Sequence, residues 1–467
     1  MRHGSLIAIL LAALAASAVP TRAVSQTLSP YQRGVPAGSP TAEPLALTAV
    51  DAVKRALEHN LGLILADERV GEANGARLRA LSELLPNSFG RLSATSQKIN
   101  LEAFGFPLPA GFPAIVGPFG VYDARVFVSQ SVFDLYLKND ARKEAHNLQA
   151  ARFDDKNARD IVVLVSFNAY SAANAASARL DAARAQVETA QALARQAADL
   201  KENGLVAGIE VLRADVQLDT ARQRLTAAQT DFERSKLQLA RIIGLPLGQA
   251  FTLAEPIRET PFLEDITLAQ AVERAYGLRG DYQAALERVR AAEANLRAIA
   301  GENKPSVRVT ADYGPIGLTP ADAVPTYNVT GAVNIPIFEG GRTRGRLAEA
   351  EAALRGRRAE ADDVKGGVYY DVQNAFLDLK SGREQLQVAT RTRDLAAAQL
   401  TQARDRFAAG VASNIEVVQA QDAVAVASEQ FIAAQYGFTL AKGALVRGMG
   451  TSEEALRQLV GTNGGIR

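Results

Sequence analysis

The chain has 467 residues and contains neither cysteine nor tryptophan. Without thiols, no disulfide or thiolate metal site can hold it together, and the lipoprotein route, which needs a cysteine, is closed. Histidine is scarce as well. Only His3, His59 and His146 occur, and neither of the last two has a second ligand at metal-site spacing. Excess charge is missing too: 52 Lys and Arg face 51 Asp and Glu, so nothing in the charge points to nucleic acid. No nucleophile–base pair stands at a recognisable spacing. The sequence therefore predicts no catalytic machinery, no metal and no cofactor. Proline is absent from residues 119–245 and after Pro336. Proline breaks helices, so its absence over such lengths permits very long ones.

What is present begins with a leader. Arg2 and His3 precede an apolar run at 6–16, followed by Ala16, Ser17 and Ala18. A basic start, a short apolar core and a small-x-small site describe a secretory signal peptide. Cleavage is expected after Ala18 or, alternatively, after Ala23, and 1–23 is assigned to the leader. Residues 24–44 are rich in Pro, Ser and Gly and read as a flexible lead-in.

The mature chain is duplicated. Adding 206 to each position from Gly204 to Gly244 lands on Gly410 to Gly450 without a gap, and 14 of those 41 positions are identical. They include Ile209/Ile415, Glu210/Glu416, Val211/Val417 and Ala214/Ala420. At an offset of 219, residues 52–56 match 271–275, and Pro86 falls on Pro305. A repeat of this kind has to be recognised before any fold is assigned. The expected boundaries are 45–260 for the first repeat, 261–450 for the second and 451–467 for a C-terminal tail. In each repeat a proline-free stretch rich in Ala, Gln, Arg, Glu and Leu predicts one very long helix. Residues 134–203 would give roughly 100 Å of it, and 339–409 nearly the same. Gly204 and Gly410 suit the left-handed residue that ends a helix. The chain then returns through 209–243 and 415–449. The uncharged run 161–178 contains Asn168, Asn174 and three serines, and reads as a buried stripe rather than a membrane span.

Between the helical parts the period changes. Val307, Val309, Ala311 and Tyr313 alternate with Ser306, Arg308, Thr310 and Asp312. Residues 327–337 and 122–132 alternate likewise, although Phe127 spoils the polar face of the latter; 87–97 is the weakest. This is strand patterning. Strands of about 9–11 residues with aromatic ends fit a transmembrane barrel, and a soluble sandwich would show the same period. Residues 103–122 are uncharged but hold four prolines and read as a loop. Four strands cannot close a barrel alone, and open edges are not tolerated in lipid. If these strands span a membrane, several chains must share one barrel.

At this point the sequence resembles the outer-membrane efflux protein family, the TolC-like channels. The residues that carry the resemblance run from Asn334 to Arg342, a strand entering a helix through Phe338, Glu339, Gly340 and Gly341. Val132, Phe133 and Asp134 form a weaker partner. Arg406, Phe407, Gly410 and residues 415–420 look like the family's helical-tip motif. The resemblance implies a mainly α fold with a membrane β part. Duplicated long-helix hairpins would form a periplasmic α-barrel, and four strands per chain would enter a homotrimeric, 12-stranded outer-membrane β-barrel. It implies a passive exit duct for efflux or type I secretion that meets a periplasmic adaptor and an inner-membrane pump. The tip turns Gly204, Leu205, Val206, Gly410, Val411 and Ala412 would dock the adaptor. Glu416, Gln419 and Glu210 would line the periplasmic constriction. Where the family often carries a second acid, this chain has Gln419; Arg213 stands at the matching place in the first repeat.

Two readings of Glu416 stay open, a carboxylate ring or a capping box with Ser413. Gly340 and Gly341 beside Arg342, Arg344 and Arg346 lack the lysine and hydroxyl of a phosphate loop. With Pro336 and Phe338 they read as a strand–helix junction. A competing reading of the whole chain is a periplasm-spanning coiled coil without a pore. The alternating strands count against it.

Overall fold

The computed structural model describes residues 29–105, 109, 111–254, 266–409, 411 and 413–455. The expected leader, Gly410, Ala412 and most of the C-terminal tail lie outside them. The proline-free stretches are two helices of 68 and 67 residues. Along the first half run β1 (Leu45–Leu47), α1 (Ala49–His59), α2 (Leu61–Ser82), β2 (Asn87–Asn100), β3 (Ile115–Phe133), α3 (Leu135–Glu202) and α4 (Gly208–Ile242). Then come β4 (Phe251–Leu253), α5 (Leu268–Leu278), α6 (Gly280–Gly301), β5 (Ser306–Gly317), β6 (Val324–Asn334), α7 (Arg342–Ala408) and α8 (Asn414–Gly448). The order helix–helix–strand–strand–long helix–helix thus occurs twice.

Each repeat starts from the same local chemistry. The Thr48 hydroxyl accepts from the Asp51 N–H while the Asp51 carboxylate accepts from the Thr48 N–H. Thr267 and Gln270 repeat this capping box on α5. Such reciprocal bonds satisfy the orphan donors of a helix start. The break before the next helix is solved in two ways. In the first repeat Asn60 is fully buried; its side chain accepts from the Gly62 N–H and donates to the Tyr31 carbonyl. In the second, the matching residue is Arg279, also buried, which donates to Asp281 and to Asp371 on α7.

The long helices fold back as antiparallel hairpins, α3 on α4 and α7 on α8. Small residues let their backbones run close. Ala190, Ala194 and Ala197 of α3 face Ala214, Leu218 and Ala221 of α4 in one buried cluster. On α7, Ala389, Ala396 and Ala403 are buried at steps of seven. A seven-residue repeat holds two helices in contact through a left-handed supercoil. The run 161–178 is indeed a core stripe: Val162, Ser166, Tyr170 and Ala173 are buried. By length and composition alone this helix could cross a membrane, but Tyr170 hydrogen-bonds the Leu47 carbonyl at 3.2 Å inside the first core. That core joins Leu47, Ala56, Val162, Leu239, Ile243 and Phe251, with β1 and β4 paired in parallel beside it. The lead-in contributes too. Gly34 meets Gly244 so closely that a Cβ would lie 2.3 Å from the Gly244 nitrogen. The second core is built separately, from Ala271, Val368, Val372, Phe438, Leu445 and Met449.

The remaining strands form one antiparallel sheet in the order β2–β3–β5–β6. Two sequence expectations are corrected here. Residues 115–121 belong to β3, not to a loop. Pro118 is accommodated because the β2 ladder shifts register between Gln97 and Ile99, leaving the missing N–H without a ladder partner to satisfy. Ile335 and Ile337 lie beyond β6, which ends at Asn334 ahead of Pro336.

Candidate functional site: strand faces and helical tips

Pairing across the sheet decides what each face carries, because directly opposed residues share a face. Val309 stands opposite Gly331, Ala311 opposite Val329 and Val128, and Tyr313 opposite Tyr327 and Val126. With Leu92, 87% exposed, and Tyr327, 79% exposed, these make one apolar face that nothing in the described chain covers. Near the helical end of the strands Phe133 stands opposite Val307. Six residues separate Val307 from Tyr313, about 20 Å of strand. Aromatics at both ends of an apolar band of this height match a membrane-spanning sheet.

The other face is polar: Ser93, Asp123, Arg125, Ser129, Arg308, Thr310, Asp312, Asn328 and Thr330. Phe127, out of place in the sequence pattern, has a partner here. It is directly opposite Phe89, with ring centroids 5.2 Å apart and 15° between the planes. The Arg91 guanidinium lies 5.1 Å from the centre of Phe127, and Arg125 lies 5.4 Å from it. Arg125 donates to Asp123 at 2.8 Å and to Asp312 at 2.9 Å. Sequence reasoning missed this cluster. Its only sequence signal was two phenylalanines at polar positions of two strands whose register was unknown.

At the junction, Gly340 (φ 61°) and Gly341 (φ 88°) take the left-handed backbone that turns β6 into α7. Pro336 is half-buried, and Phe338 is 88% exposed. Glu339 accepts from Arg342 and Thr343, and Arg346 pairs with Glu302. Two of the three junction arginines are therefore committed to carboxylates, which disfavours an anion loop.

The tip turns lie at the far ends of the hairpins. Gly204 is left-handed (φ 72°), and the Leu205 N–H returns to the Leu200 carbonyl at 2.8 Å. The Val411 N–H does the same to Arg406 at 3.0 Å. This is the Schellman bond that closes a helix end. Leu205 and Val411 are 70% and 67% exposed, and Val206 is half-buried. Just inside the turns, Phe407, Val417 and Ala420 pack on Leu193 of α3, so the two hairpins meet here.

The capping box expected between Ser413 and Glu416 is not formed. Ser413 caps α8 with no side-chain bond. The Glu416 carboxylate instead lies 3.7 Å from Arg406 across the turn, drawn by opposite charge. In the first repeat Glu210 pairs with Arg213 one turn further along its own helix, at 2.8 Å. Gln419 is exposed. Each tip acid is thus matched by one arginine of its own chain.

Residues 271–451 match the family model described as outer membrane efflux protein. That segment belongs to the outer membrane efflux protein family. Similarity extends into the first repeat. The outer membrane efflux protein BepC of Brucella suis is 25% identical over 320 residues, 67% of this chain and 64% of its own length. The aligned part is therefore less than two thirds of that relative. The fold agrees over a longer span. The CmeC outer membrane channel of Campylobacter jejuni superposes with a TM-score of 0.74 at 18% identity, covering 88% of this chain and 89% of its own. The outer membrane protein VceC of Vibrio cholerae gives 0.73 at 19%, covering 86% and 96%. The matched segment and the fold are those of outer-membrane efflux and channel proteins.

Proposed function

We propose that three copies of this efflux-family chain close a 12-stranded barrel and form a passive exit duct. The observation that carries this is the sheet itself. Four antiparallel strands in chain order leave β2 and β6 as edges without a partner among the described residues. Unpaired strand edges are not stable in lipid, and one apolar face against one polar face gives an outside and a lumen. Twelve strands need three chains of four, a closed even-numbered barrel. The repeats then occupy 45–260 and 261–450. The duct serves a tripartite efflux or type I secretion system. A periplasmic adaptor docks on the tip turns around Gly204, Leu205, Val206, Gly410, Val411 and Ala412, and an inner-membrane pump supplies the energy. Glu210, Glu416 and Gln419 stand around the narrow periplasmic end.

The absence of cysteine makes the test clean. Single cysteines on the two edge strands, Leu92→Cys in β2 and Val329→Cys in β6, are combined and oxidised in outer-membrane fractions. A trimer is the expected limiting species, with ion conductance in planar bilayers. A stable, membrane-inserted monomer would overturn the assembly.

A further inference from the structure

We propose that the polar face of the sheet holds a weak binding site for aromatic anions, formed by Arg91, Phe89 and Phe127. The inference rests on the pore reading, which makes this face the lumen, and adds to it a class of solute.

Arg91 and Arg125 are directly opposite each other on β2 and β3. Like charges so placed repel, and the two are relieved differently. Arg125 is held by Asp123 and Asp312. Arg91 has no carboxylate at ion-pair distance among the described residues; its guanidinium rests over Phe127 at 5.1 Å and Phe89 at 5.7 Å. An arginine held through its face keeps the N–H fork at its rim free, and that fork matches a carboxylate or sulfonate with two parallel bonds. Phe89 is 50% exposed. Half-exposed phenyl surface between Asn87 and Arg91, on the polar face with Ser129 diagonally across, serves neither a core nor the lipid face. It offers a planar solute a ring to stack on. One planar anion can therefore satisfy both groups at once: its charge meets the fork of Arg91 and its ring meets Phe89. In a three-fold assembly the site occurs three times around the wall. Weak binding suits a duct, because a solute must be able to leave.

The test uses the full-length protein in planar bilayers, with 2-naphthalenesulfonate as probe and methanesulfonate as the control that lacks a ring. The expected result is partial block of the KCl current by the aromatic sulfonate and none by methanesulfonate at equal concentration. Arg91→Gln and Phe89→Leu each weaken the block by about five- to ten-fold. Arg91→Lys, which keeps the charge and loses the fork, weakens it as well. All three still form conducting channels, and block is read relative to each variant's own unblocked current. Equal block in wild type and variants overturns the site, and so does equal block by methanesulfonate. Variants that no longer conduct show a structural brace and overturn it too. A conducting channel with no aromatic block sinks this inference alone, whereas no conductance at all sinks the pore reading and the site with it.

Discussion

The two repeats share a plan and differ at their hinges. Between the first two helices of each repeat the chain must break, and the residue at the break is buried. The first repeat uses the neutral amide of Asn60, which satisfies a backbone donor and a backbone acceptor locally. The second uses Arg279, which ties the hinge to Asp281 and Asp371, with Arg447 also 3.6 Å from Asp371. An amide fixes a turn. A buried charge fixes the turn and binds it to the long helix and its partner. The same backbone problem thus admits a local solution and a networked one, and only the networked one couples stability to pH.

The largest effect is expected from breaking that difference. Arg279→Ala leaves Asp281 without its ion-pair partner and Asp371 with Arg447 alone, and should destabilise the helical domain by about 3 kcal/mol. Asn60→Ala, the matching change, should lose about 1–2 kcal/mol. Denaturant unfolding of the solubilised protein, followed by circular dichroism, measures both. Equal losses would mean that the network adds nothing to the turn.

Acid should separate the repeats next. Burial raises the Asp281 carboxyl, but the hydrogen bonds and charge of Arg279 outweigh this and hold it below the usual value. A depressed carboxylate contributes stability above its unfolded pKa of about 4 and loses it as pH falls through the folded one. The second repeat should therefore loosen below about pH 4. Asp160 on α3 has the opposite sign. Burial pushes it up, against the Ser452 hydroxyl and Lys156. Its contribution is full below the unfolded pKa and is lost as pH rises through the raised one. The matching position in the second repeat is Gly366, with no carboxyl at all. Asp160→Asn should raise the melting temperature at pH 7 and leave it unchanged near pH 3. A lower melting temperature at pH 7 would show that the charge is needed.

The helix starts give a smaller contrast. Thr48→Ala and Thr267→Ala each remove a capping box and should lose about 1 kcal/mol. Ser413→Ala removes no side-chain cap and should change stability by no more than a few tenths. The same unfolding curves check all three, and a loss of about 1 kcal/mol at Ser413 would restore the capping box to the tip.

The smallest effect is expected at the tip acids. The Arg406–Glu416 pair is solvent-exposed and the Arg213–Glu210 pair partly so; such pairs are worth about 0–1 kcal/mol, so their removal should show in conduction more than in stability. Arg406→Gln and Arg213→Gln unmask Glu416 and Glu210 and should raise cation selectivity in bilayer recordings. Glu416→Gln and Glu210→Gln should lower it. No change in any of the four would remove these residues from the constriction.

The large features were legible because they follow from local chemistry. Missing proline gave the two long helices to within a few residues, Gly204 marked the first tip turn, and period-two patterning located the four strands. What stayed hidden depends on who meets whom. Pro118 argued against a strand, and only the shifted ladder of β2 shows why one passes through it. Asn60 and Arg279 carry no local mark of their task, since Tyr31 and Asp371 are distant in sequence. Ser413 and Glu416 had the right spacing for a cap, but Arg406, ten residues before Glu416 and across the turn, holds the carboxylate instead. Phe127 looked like a flaw in a polar face until the register set it opposite Phe89.

The two cores have a consequence in time. Among the described residues, the first buried cluster draws on Leu47 to Phe251, with Tyr31 and Leu253 packed against it, and the second on Ala271 to Met449, with Ile266 and Leu268 against it. A chain exported from its N-terminus can therefore finish the first core as soon as β4 emerges, while the second half is still being translocated. The hairpin β2–β3 has no such freedom. Two strands alone are marginal, and their next neighbour, β5, arrives about fifty residues after β4. Chain order can thus become folding order for the first core, whereas the sheet has to wait for β5 and β6.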